Sequence, residues 1–85
     1  MQEFTYTIQD ADGIHARPAG LLVKEAGNFT SSVTLYCGEK SGDAKRIFSV
    51  MSMGIRHGAE VRVTIEGEDE TEAAAALQRF FSENL

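Results

Sequence analysis

The sequence predicts an α/β domain whose sheet, antiparallel or mixed, is covered by helices on one face and wet on the other. Three segments alternate apolar with polar residues, the period of a half-buried strand: Phe4, Tyr6 and Ile8; Val33, Leu35 and Cys37; Val61, Val63 and Ile65. Two stretches carry apolar residues at helical spacing instead: Ala19, Leu22, Val23 and Ala26, then Ala73, Ala76/Leu77, Phe80 and Phe81. Alternating strands belong to sheets with one solvated face, because strands buried on both faces read as continuous apolar runs. With 85 residues the chain has room for a single domain, residues 1–85, and one modest core.

Taken in order, the first strand ends at the turn Asp10-Ala11-Asp12-Gly13. A helix follows from about Ala16 to Gly27, with Pro18 in its first turn, where a missing N–H costs nothing. Gly27-Asn28 predicts a left-handed C-cap, since both residues tolerate that backbone. The second strand runs through Val33, Leu35 and Cys37. Gly38 to Gly42 predicts a polar hairpin with a short third strand beside it. Residues 45–53 place Ile47, Val50 and Met51 on one helical face, and predict a short helix over the β alternative. Gly54 and Gly58 bracket a loop holding Arg56 and His57. After the last strand, Asp69 is the expected N-cap of the final helix, with Glu72 as its reciprocal partner. The order is strand, helix, strand, strand, short helix, strand, helix.

Composition removes several function classes. Residues 1–58 carry six Lys/Arg and six Asp/Glu, while residues 59–85 carry two and seven, so the whole net charge of −5 lies in the last third. That balance argues against a nucleic-acid binder, which needs a basic face. The neutral part holds His15, Arg17, Lys24, Lys45, Arg46 and Arg56, which would favour an acidic protein partner if they converge. One cysteine excludes an internal disulfide, and Cys37 reads as a reduced thiol of a cytosolic protein. The first residues, Met-Gln-Glu-Phe, are no secretory signal, and no apolar run approaches membrane-spanning length. No glycine-rich nucleotide loop and no metal-ligand cluster is visible, so neither cofactor nor metal is expected.

The stretch Gly13-Ile14-His15-Ala16-Arg17-Pro18-Ala19-Gly20 carries the chemistry. An imidazole stands at a helix start, where unpaired N–H groups and the Arg17 guanidinium suit an anion. An anion attached to the ring, rather than bound beside it, would make the protein a phosphoryl carrier. A neutral imidazole is nucleophilic near pH 7, and once protonated it is a good leaving group from phosphorus. The bland alternative, a surface histidine beside a solvated arginine, leaves Arg17 placed unfavourably at the positive end of the helix dipole. Pro18 has a structural job, and His57 is read as a loop histidine. Ile47, Phe48 and Met51 cannot all be buried on one narrow helix face, so Ile47 and Met51 are expected to be part core and part interface, with Phe48 the exposed anchor.

Residues 13–19 resemble the active-site motif of the HPr family, the histidine-containing phosphocarriers of the bacterial sugar phosphotransferase system, with Ile14 where the family usually has Leu. Lys45 to Gly54 resembles the segment around that family's second helix, and Gly67-Glu68-Asp69-Glu70 the approach to its last. The resemblance spans the chain from about Glu3 to its C-terminus. It implies an open-faced βαββαβα sandwich, with a four-stranded antiparallel sheet covered on one face by three helices. It also implies a carrier that is not itself an enzyme, phosphorylated on His15 Nδ1 by the phosphoenolpyruvate-dependent enzyme I and discharged to sugar-specific IIA domains. Ala16, Arg17 and Pro18 would orient the phosphoryl group, and Ile47, Phe48, Met51, Lys24 and Arg46 would dock partners. Cytoplasmic location without membrane insertion or an obligate oligomer follows from the same resemblance. A regulatory phosphoacceptor of a signalling branch, for example a nitrogen-related one, is the alternative. One departure stands out. Low-GC Gram-positive members carry a kinase-regulated serine right after the lysine matching Lys45, and here that residue is Arg46. Ser49 and Ser52 lie further on and do not match.

Overall fold

Val61, Val63 and Ile65 are fully buried, and the strand that carries them runs through the interior of the sheet. The computed structural model describes residues 1–85 as β1 (Gln2–Thr7), α1 (Ala16–Ala26), β2 (Ser32–Cys37), β3 (Lys40–Asp43), α2 (Ile47–Met51), β4 (Glu60–Glu66) and α3 (Glu70–Asn84). The sheet order is β1-β4-β2-β3, and every neighbouring pair is antiparallel, which resolves the expected choice between antiparallel and mixed. The register sets Phe4 and Leu35 on either side of Val63. Apolar residues therefore share one face, and Thr5, Arg62 and Tyr36 share the other. There the Arg62 guanidinium lies 4.3 Å over the Tyr36 ring and Nη1 is 3.6 Å from Glu3 Oε1.

The helices close the apolar face. Ala19, Leu22 and Ala26 of α1 and Ala73, Leu77, Phe80 and Phe81 of α3 are buried, as their spacing predicts. Ala74 is buried as well and Ala76 only half so, because α3 packs on α1 with a wider stripe than the sequence indicated. Phe81 meets Phe4 and Tyr6 edge-on at 5.6 Å between ring centroids, which fixes α3 over β1. The third strand forms, joined to β2 through Gly38-Glu39 with Gly38 at φ +61°, the backbone a tight antiparallel hairpin needs at its first turn residue. No helix is long and apolar enough to cross a membrane.

Three expectations are corrected. Gly27 ends α1 in a right-handed conformation, φ −66°, its N–H bonding to the Val23 carbonyl, so the left-handed cap is not used. Asp69 stands at the start of α3, but its side chain caps nothing there, and Glu72 does not reciprocate. Its carboxylate is taken by Thr30 and Ser31, while Glu70 Oε1 accepts the Gly67 N–H at 3.1 Å. In α2 only Val50 is buried. Ile47 is half-buried against the core, and Met51 stands 42% exposed outside it, because five residues make little more than one turn and offer the core one narrow face.

Candidate functional site

Residues 8–15 connect β1 to α1 along a path fixed almost entirely by main-chain bonds. Ile8 exchanges hydrogen bonds with the 58–59 segment, its N–H reaching the Ala59 carbonyl at 2.9 Å and its carbonyl accepting from Gly58. The Gln9 and Asp10 N–H groups both donate to the Leu85 carbonyl, and the Ile14 N–H donates to Ile55 at 3.0 Å. Gly13 adopts φ +68°, and a Cβ there would lie 2.3 Å from the Ile55 carbonyl oxygen, so only glycine lets the loop lie this close. His57 proves to be more than a bystander in its loop, since Nδ1 lies 3.2 Å from the Gln9 carbonyl and ties the same two segments together. Ile14 is buried as the anchor, and the next residue, His15, points out to solvent.

His15 occupies the N-cap position of α1 with an extended backbone, φ −89° and ψ −173°. Its carbonyl accepts the Ala19 N–H at 2.9 Å, yet its side chain makes no capping bond and remains available for chemistry. The first-turn N–H groups of Ala16 and Arg17 have no intrahelical acceptor, Pro18 has none to offer, and no acidic residue occupies that turn. Arg17 is exposed and enters no ion pair. His15, Arg17 and Pro18 line an open cavity of about 300 Å³ together with Asp10, Leu21 and Asn84. His15 Nε2 lies 3.9 Å from Asp10 Oδ1, which also accepts the Asp12 N–H at 2.8 Å.

The chain's local sequence identifies His15, Arg17 and Pro18 but not Asp10, Leu21 or Asn84. Asp10 reads as an ordinary turn residue, and only the Asp-x-Asp-Gly-x-His spacing hints that the turn folds back on the ring. Asp10, Asp12 and His15 bring donor atoms within 4.8 Å of one another, a grouping that exposed acidic turns form without a metal.

The residues expected to dock partners fall on α1 and around α2, and none of them lines this cavity. Arg17, Leu21 and Lys24 occupy one exposed stripe of α1 at helical spacing, with Leu21 an apolar member that sequence reasoning missed. Phe48 is 84% exposed on α2. Arg46, Ile47 and Phe48 line a groove of about 570 Å³ with Val23, Asp43, Lys45 and Ser49. Neither Lys24 nor Met51 lines it. Of His15 and the five cations grouped with it in the neutral part, His15 and Arg17 share the cavity, Lys45 and Arg46 share the groove, and Lys24 and Arg56 line neither. The Lys45 ammonium is further engaged by the Phe29 carbonyl at 2.6 Å.

An imidazole at a helix N-terminus, flanked by free N–H groups and a free guanidinium, has the chemistry to take an anion. Residues 2–83 match the family model described as "PTS HPr component phosphorylation site". The phosphocarrier protein HPr of Mycoplasma capricolum is 40% identical over 79 residues, covering 93% of this chain and 89% of that one. HPr of Mycoplasma genitalium is 40% identical over 85 residues, covering 99% and 97%. A solved mycoplasma histidine-containing phosphocarrier superimposes with a TM-score of 0.94 at 38% identity, covering 96% of this chain and 93% of that one. The chain belongs to the HPr family of the phosphotransferase system. It is a phosphocarrier, not an enzyme, and relays phosphoryl groups between enzyme I and IIA domains through the open-faced sandwich described above.

Proposed function

We propose that His15 Nδ1 accepts the phosphoryl group, with Arg17 and the helix start at Ala16, Arg17 and Pro18 holding its oxygens. The observation that carries this reading is the His15 side chain at the N-cap of α1 without a capping bond, sharing a cavity with an unpaired Arg17. Nε2 faces Asp10 Oδ1 at 3.9 Å, which supports Nδ1 as the accepting nitrogen. Each charge-assisted hydrogen bond to a phosphoryl oxygen contributes roughly 1.5–3 kcal/mol, enough to orient the group without trapping it. Ile47, Phe48, Met51, Lys24 and Arg46 form the docking surface for enzyme I and for sugar-specific IIA domains, and Phe48 is its anchor. Docking apposes the donor or acceptor group to His15, and the carrier then dissociates. It works in the cytoplasm, where Cys37 stays reduced.

The test is incubation with phosphoenolpyruvate, Mg²⁺ and the cognate enzyme I, followed by intact-mass measurement before and after acid treatment. The wild type gains one acid-labile phosphoryl group and His15→Ala gains none. Persistent acid-labile labelling of His15→Ala overturns the assignment.

A further inference from the structure

We propose that Asp10 is a positioning residue for the phosphoryl relay: its carboxylate holds the His15 ring as the Nε2–H tautomer and leaves the Nδ1 lone pair free for phosphorus. The inference rests on the reading of His15 Nδ1 as the accepting atom. Its basis is the 3.9 Å approach of Asp10 Oδ1 to Nε2, and the rigidity with which the carboxylate is held. The Asp10 N–H donates to the Leu85 carbonyl at 2.8 Å, its own carbonyl accepts from Gly13 at 3.0 Å, and Oδ1 accepts the Asp12 N–H at 2.8 Å. An ionised carboxylate offers about four lone-pair sites, so the bond to Asp12 leaves capacity for the ring. The Asp10 side chain is 29% exposed and that of His15 43%, so solvent screens the pair on the His15 side while the Asp10 side is partly sheltered.

Which imidazole nitrogen bears the proton is set by the partner of the other. A carboxylate beside Nε2 favours the proton there. In the accepting step the Nδ1 lone pair forms the N–P bond as the bond from phosphorus to the donor breaks, its electron pair leaving with the donor. The Nε2 proton stays in place. The ring is then cationic, and its charge faces Asp10. In the discharging step the N–P electron pair returns to Nδ1, and the neutral Nε2–H tautomer is restored without any proton having moved. Asp12, two residues on, lies in the same turn but makes no ion pair with the ring.

The tautomer ratio of His15 is read directly from long-range ¹H–¹⁵N correlations of the labelled protein in alkaline solution, where the imidazole is neutral. Asp10→Asn removes the charge while its amide oxygen can still accept the Asp12 N–H, so the melting temperature should stay near that of the wild type. The Nε2–H to Nδ1–H ratio is expected to fall by about threefold or more in Asp10→Asn, and to stay near the wild-type value in Asp12→Asn. Phosphorylation of Asp10→Asn by enzyme I should slow as well, since the cationic phosphorylated ring loses the carboxylate that faces it. An unchanged ratio in Asp10→Asn, or an equal change in Asp12→Asn, overturns the inference. The ratio is measured with no phosphoryl donor present, so its failure is distinct from labelling of His15→Ala, which would overturn the phosphoacceptor reading instead.

Discussion

Asp69 fastens the start of α3 to the loop ahead of β2 through Ser31, whose main-chain N–H at 2.9 Å and hydroxyl both bond to Oδ1, while Oδ2 takes the Thr30 N–H at 2.9 Å. The Ser31 hydroxyl, then the Thr30 and Ser31 N–H groups, hold the Asp69 carboxyl down at about 2, against an ordinary value of 3.8. The approach leaves no room at Gly67, where a Cβ would come within 2.6 Å of Ser31 Cα. A carboxylate whose folded pKa is depressed contributes stability that is fully present above its unfolded value and is lost as pH falls through the folded one. Asp69→Asn should therefore lower the melting temperature by several degrees at neutral pH. The gap to the wild type should hold constant down to about pH 4 and close toward pH 2. Melting curves across that range check it. A gap as wide at pH 2 as at pH 7 would mean that the ionised carboxylate is not its source.

Phe81 carries the packing between α3 and the sheet. It is fully buried and meets Phe4, Tyr6 and Phe80 edge-on. Phe81→Ala should cost about 3–5 kcal/mol in urea unfolding, since a small domain cannot collapse around so large a cavity. A loss below about 1 kcal/mol would show that the core repacks freely there.

These two residues mark where the fold was legible and where it was not. Phe81 declares itself, because helical spacing puts it on the face of α3 that meets the apolar strand residues, and the alternation of Val61, Val63 and Ile65 shows which face of β4 that is. Ser31 and Asp69 lie 38 positions apart, and no local pattern links them. An aspartate ahead of a helix reads as a cap, and only the antiparallel pairing of β2 with β4 brings Ser31 within reach. The site divides in the same way. His15, Arg17 and Pro18 are contiguous and carry their own helix signal. Asn84 reaches the cavity because α3 returns alongside α1, and Asp10 because its turn is bound to the Leu85 carbonyl. Met51 fails for a different reason. Apolar character shows that a side chain prefers burial, not that a one-turn helix has room to bury it.

Phe48 should separate docking from folding. At 84% exposure it contributes little to the core, so Phe48→Ala should change unfolding free energy by no more than about 0.5 kcal/mol. An exposed aromatic anchor at an interface is worth about 2 kcal/mol, so affinity for enzyme I should fall by more than tenfold. Titration calorimetry paired with unfolding curves reads both quantities. Unchanged affinity would remove Phe48 from the docking surface.

The family resemblance sets Arg46 where low-GC Gram-positive members carry a regulatory serine, so the chain should lack a kinase switch at that position. Arg46 is the exposed N-cap residue of α2, with an extended backbone and no capping bond. A serine there could cap the helix and take phosphate, whose added negative charge would suit the helix start but repel an acidic partner. Arginine has no hydroxyl and puts a positive charge at the edge of the groove beside Phe48. Ser49 is poorly placed to substitute, because its half-buried hydroxyl is engaged by the Asp43 N–H at 2.8 Å and helps join β3 to α2. Exposure to an HPr kinase with ATP should leave the wild type unmodified, while Arg46→Ser becomes a substrate. Phosphopeptide mass spectrometry distinguishes the sites, and stoichiometric phosphate on Ser49 or Ser52 of the wild type would contradict the expectation. The arginine should also steer an acidic partner. At low salt, Arg46→Ser should associate with enzyme I more slowly than the wild type, and the difference should shrink as salt screens the charge. Equal on-rates at low salt would leave Arg46 with no part in attracting the partner.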